Sequence, residues 1–183
     1  MSAHRFIYML AGILLLLSCG SDNNAPIDDP GNTTNHYLQL QPNGLNAIKV
    51  SCTEENFVFP FQIKAVGNGS NQGGEAQINS WSEDELKAYN NKEKTSYVLL
   101  PSSLYSLTST EVSFKEGIST MDVEVKFNPS KVFAEFREKT VEYVIALKLS
   151  SDKIQVRDSQ SRILLSISFD YPTVGLAASA AEV

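Results

Sequence analysis

From residue 36 onward, apolar and polar side chains alternate along the chain, the period of half-buried β-strands. Residues 119–127 show it most cleanly: Met121, Val123, Val125 and Phe127 share one face, and Thr120, Asp122, Glu124 and Lys126 the other. Residues 141–149 place Val141, Tyr143, Ile145, Leu147 and Leu149 inward. Their opposite face carries Val144 and Ala146, which predicts a central strand covered on both sides. Residues 162–170 align Ile163, Leu165, Ile167 and Phe169, and residues 57–65 align Phe57, Phe59, Phe61 and Ile63. Pro60 lies on the outer face of that last segment and predicts an edge or a bulge. Shorter runs fall at 37–40, 47–50, 97–100 and 111–114, and Gly117 predicts a hairpin connection into the Met121 strand. Seven or eight short strands, too apolar for one open sheet, imply an all-β fold: an immunoglobulin-like two-sheet antiparallel sandwich with one or two short helices. The Cys…Trp…Cys pattern of antibody-type domains is absent.

Two segments break the alternation. Ser82-Glu83-Asp84-Glu85 is a capping box, with Ser82 as N-cap and Glu85 at N3, and Trp81 and Leu86 form the hydrophobic staple around it. Leu86 and Tyr89 share a face of the helix, and Asn90-Asn91 is its expected end. A shorter helix is expected at 129–136, capped by Asn128 with Pro129 at N1. Residues 66–74, VGNGSNQGG, read as a loop.

The N-terminus is an address. Arg5 precedes an apolar run from Ile7 to Leu17, too short to cross a bilayer as a helix. Leu16-Leu17-Ser18-Cys19-Gly20 resembles a bacterial lipobox, which implies a signal peptide at 1–18 and lipidation of Cys19. Several acyl chains at one residue give firm anchoring, so the expected location is the outer membrane, through the N-terminal lipid. Residues 19–35 have a tether's composition, rich in Pro, Asn, Asp and Thr. The acidic Ser21-Asp22 and Asp28-Asp29 resemble the export signal of surface-displayed lipoproteins in Bacteroidetes-type bacteria. The expected body is 36–170, followed by a C-terminal tail at 171–183.

Charge and composition narrow the chemistry. A net charge of −6 with no basic patch argues against nucleic acid as a partner. With 2 Cys and 2 His in the whole chain, a zinc site and a disulfide framework are both disfavoured, and no cofactor is expected. His36 alone remains beyond the signal peptide, and Cys52 has the setting of a small buried hydrophobe. Glu54-Glu55, Glu83-Asp84-Glu85 and Asp122/Glu124 are read as solvated or capping charges, not catalytic pairs. Trp81, Tyr89, Tyr97 and Tyr105 crowd one stretch and have the chemistry to stack on sugars or simply to pack.

The stretch from Trp81 to Leu149 (WSEDELKAYN, then SYVLLPSSLYSL, EVSFKEG and VEYVIALKLSS) resembles a domain of unknown function common in Bacteroidetes surface lipoproteins. The resemblance covers residues 36–150. It implies an immunoglobulin-like β-sandwich placed N-terminal to glycan-binding or family 18 glycosidase domains. Only Cys19 transfers by position, and no catalytic residue of those relatives has a counterpart, so the chain is expected not to be an enzyme. The function implied is a lipid-anchored binding or accessory module of glycan capture and uptake, with a polysaccharide ligand and protein partners in an outer-membrane uptake complex. The alternative is a structural spacer or adhesin-type module that binds a protein partner.

Overall fold

A computed structural model describes residues 36–67, 73–137 and 141–170. In chain order these form β1 (Tyr37–Gln41), β2 (Gly44–Ser51), β3 (Phe57–Val66), β4 (Gly74–Ser80), α1 (Glu83–Glu93), β5 (Val98–Leu99), β6 (Tyr105–Leu107), β7 (Glu111–Phe114), β8 (Thr120–Phe127), α2 (Pro129–Phe136), β9 (Tyr143–Ser150), β10 (Gln155–Val156) and β11 (Arg162–Asp170). The expected signal peptide, tether and tail lie outside the described residues, as do residues 68–72 of the expected loop.

The strands make the expected all-β sandwich of two sheets. One is ordered β10-β1-β3-β8-β6. The other is ordered β2-β11-β9-β4-β7, with β5 also paired to β9. Among the described residues, three pairings are parallel: β1 with β10, β2 with β11, and β5 with β9. Between the sheets lie the inward faces anticipated from alternation, including Phe61, Ile63, Val123, Val125, Ile145, Leu147, Ile163 and Leu165. Burying each such side chain contributes roughly 1.5–3 kcal/mol. Helix α2 adds Val132 and Phe136 to the same core, with Phe136 against Tyr143 at 4.0 Å between ring centroids. Asn128 caps α2 by accepting from the Lys131 backbone N–H.

Consecutive described strands alternate between the two sheets throughout, except that β4 and β5 both belong to the second. The hairpin expected at Gly117 is therefore not formed: β7 pairs with β4, β8 pairs with β3 and β6, and the turn carries the chain from one sheet to the other. Gly117 has φ +81, and the turn is closed by the Ile118 N–H on the Lys115 carbonyl at 3.0 Å. Side-chain period reports which face of a strand is buried but not which strand lies beside it.

β3 runs inside its sheet, so the edge expected from Pro60 exists only locally. The Ala65 N–H donates to Ser119 on the β8 side at 2.8 Å, which turns the even-numbered residues of β3 toward β1. β1 ends at the Gln41–Gln62 pair. Pro60 sits beyond that end, where its missing N–H costs no ladder bond. Val141 is 42% exposed and precedes β9 instead of facing the core. β4, β6 and β10 fall where no strand was expected, because they contribute few or small apolar residues: Ala76 and Ile78 are the buried ones of β4.

Helix α1 forms a third layer over the outer face of the second sheet. Its cap is as expected: Ser82 Oγ accepts from the Glu85 N–H, and Glu85 Oε2 accepts from the Ser82 N–H. The helix passes Asn90-Asn91 and ends at Lys94, which adopts φ 59. Asn90 instead ties down the following loop: its side chain accepts from Thr95 Oγ1 and the Tyr97 N–H and donates to the Tyr97 carbonyl. Beneath α1, Trp81, Leu86, Val144, Ala146 and Leu164 make a second buried cluster. That cluster is why β9 is apolar on both faces.

Candidate functional site

The residues marked for chemistry in the sequence disperse in the fold. Cys19 lies outside the described residues. Cys52 is free and buried just past β2, its N–H on the Asp170 carbonyl. His36 stands before β1, and its Nε2 is enclosed without a hydrogen-bond partner among the described residues. Asp122 accepts from Gln62 Nε2 at 2.8 Å, and Glu124 pairs with Lys126 at 2.8 Å on the wet face of the first sheet. Glu54 uses its carbonyl to hold the Ser130 N–H at the start of α2. Among the described residues, no group of three or more His, Cys, Asp or Glu is placed to hold a metal. No helix among them is long and apolar enough to cross a membrane.

Three of the four aromatics do come together. The Tyr89 ring meets the Trp81 ring edge-on at 5.7 Å between centroids and stacks with Tyr97 at 6.4 Å. Trp81 is buried, and its Nε1–H donates to the Leu147 carbonyl at 3.0 Å. Burial pushes the Tyr89 and Tyr97 phenols up from their ordinary value, aided at Tyr97 by the Glu142 charge, so both hydroxyls stay protonated at neutral pH. Tyr105 stands apart on β6, its hydroxyl bonded to Ser80 Oγ at 2.7 Å.

Beside this cluster opens a cleft of about 370 Å³, within the range of small-ligand sites. Its apolar lining includes Leu45 from the start of β2 and Leu164 from β11. The side that α1 contributes carries Glu85, Tyr89 and Lys92. Asp158 and Ser159, from a single 3-10 turn, and Arg162, at the start of β11, also line it. The Arg162 guanidinium sits over the Trp81 ring at 5.1 Å, a cation–π arrangement. Glu85 is already engaged. Lys148 Nζ donates to it at 2.7 Å, and that bond, helped by the Ser82 N–H, holds its carboxyl below the ordinary glutamate value.

Sequence reasoning singled out Trp81, Glu85 and Tyr89 but missed Asp158, Ser159 and Arg162. Nothing in their local pattern marks them, since they join the cleft only through the pairing of β11 with β2 and β9.

A family model described as a "-like, N-terminal domain" matches residues 29–156. No curated protein sequence matches the chain. Among solved structures, the chain is similar to a candidate carbohydrate-binding protein from Bacteroides ovatus, with a TM-score of 0.60 and 15% identity over 72% of this chain and 36% of that one. It is similar to EndoBT-3987 from Bacteroides thetaiotamicron, solved with a Man5GlcNAc product, at TM-score 0.54 and 16% identity over 73% of this chain and 31% of that one. It is also similar to a two-domain protein of unknown function from Bacteroides fragilis, at TM-score 0.53 and 10% identity over 74% of this chain and 46% of that one. These likenesses show a shared fold, and the chain spans less than half the length of each of those proteins.

Proposed function

The chain belongs to the family of N-terminal domains whose model spans residues 29–156, and on that footing we propose that it is a non-catalytic, lipid-anchored module of the cell surface that serves glycan capture and uptake. The observation that carries the glycan part is the cleft beside α1. It joins an apolar lining, the Tyr89 ring and unspent hydrogen-bonding groups, the mixture that sugar recognition uses. Two of the fold neighbours, one a candidate carbohydrate-binding protein and one solved with a glycan product, support the same reading. The family's N-terminal place supports an accessory role, and the lipobox at Leu16 to Cys19 supports the anchor. The test is a glycan array probed with the full chain in detergent. A reproducible polysaccharide signal is expected, and a blank from folded protein overturns direct capture.

A second reading, a spacer or adhesin-type module that binds a protein, is favoured by one feature. Among the described residues, β2 is a sheet edge of eight residues, paired only with β11, and Leu45 on it is 47% exposed. Such an edge suits addition of a partner strand. Cross-linking on intact cells from a photoreactive residue placed at Ala47 tests it. A discrete protein adduct supports the reading, and none removes it.

A further inference from the structure

The charges of the cleft narrow its ligand further, and this inference rests on the glycan reading above. Asp158 and Arg162 both line the cleft and are exposed, and among the described residues neither side chain enters an ion pair. Arg162 is oriented by the Trp81 ring instead, so its N–H groups need no other side chain to hold them in place. The Asp158 carbonyl is used within its own turn, accepting from Ser161, while the carboxylate remains open as an acceptor.

An anionic ligand would meet the unpaired Asp158 carboxylate, Glu85 being neutralised by Lys148. A cationic one would meet Arg162 and Lys92. A neutral ligand with many hydroxyls meets neither repulsion, because each hydroxyl both donates and accepts. Leu45, 47% exposed, offers apolar surface to the C–H face of a ring. The geometry points to a neutral sugar ring as the occupant of this cleft, its hydroxyls donating to the Asp158 carboxylate and accepting from the Arg162 guanidinium.

The chain has a single tryptophan, and it lines the cleft, so its fluorescence reports on this place alone. The experiment titrates the full chain in detergent with neutral oligosaccharides of mannose, glucose and galactose, and with galacturonate oligomers of matched length. Calorimetry is run in parallel to detect binding anywhere on the chain. A saturable emission change with a neutral oligosaccharide is expected. Arg162→Gln and Asp158→Asn should each weaken it roughly tenfold, the size of one charge-assisted hydrogen bond, with unchanged melting. Calorimetric binding of a neutral sugar with silent fluorescence, or with affinity unchanged in both variants, overturns the assignment to this cleft while the glycan reading stands. Tighter binding of galacturonate overturns the charge argument and also leaves that reading standing. No heat and no emission change with any sugar overturns both.

Discussion

At the residue scale, Glu85 links three parts of the molecule. It closes the capping box of α1, neutralises Lys148 on β9, and lines the cleft. Its carboxyl is depressed chiefly by the Lys148 hydrogen bond. A depressed folded-state value means stability present above the unfolded carboxyl's ordinary value of ~4.3, and lost as pH falls through the folded one. Thermal midpoints followed from about pH 7 down to about pH 3 should therefore drop less in Glu85→Gln than in the native chain. At neutral pH the same substitution should cost under about 1 kcal/mol, because the pair is about one-third exposed. Ser82→Ala removes the cap itself and should cost about 1 kcal/mol, read by urea denaturation.

At the element scale, the helix layer hangs on Trp81. The Trp81 N–H continues the β4–β9 ladder onto the Ala146 carbonyl, and its indole bonds Leu147, so one residue joins strand, helix and sheet face. Trp81→Phe keeps a ring but strands the polar contact, for about 1–3 kcal/mol. Trp81→Ala also empties the second core, for about 3–5 kcal/mol. Urea denaturation followed by circular dichroism separates the two. The turns between sheets make a second comparison. Both Gly73 and Gly117 have positive φ, but an added Cβ meets open space at Gly117 and the Phe114 carbonyl at 2.7 Å at Gly73. Gly117→Ala should cost about 1–2 kcal/mol from backbone strain alone. Gly73→Ala should cost distinctly more in the same assay.

At the scale of the whole molecule, the proposed anchor and the cleft make separate demands on the chain. Cys19→Ser should move the protein from the membrane fraction to the soluble one on cell fractionation, while neutral-sugar binding by the purified chain is unchanged. Retention of the variant in the membrane fraction would remove the lipid from the proposal. The sandwich itself was foreseeable because four long strands carry an apolar residue at every second position: β3, β8, β9 and β11 each bury the face their sequence marks. The helix was foreseeable for a different reason, since a capping box and staple are local chemistry within a few residues.

By itself, then, the sequence determined the strand faces, both helix starts, the all-β class, and a family resemblance that a family model over residues 29–156 now matches. These depend on neighbours in the chain, where period and spacing act directly. Only the tertiary structure decided that successive strands cross between sheets, that β2 and β11 run parallel, and that α1 makes a third layer. The cleft belongs to that second class. Leu45, Tyr89 and the Asp158–Arg162 stretch come from three separated segments, and long-range pairing, which no local pattern encodes, is what brings them together.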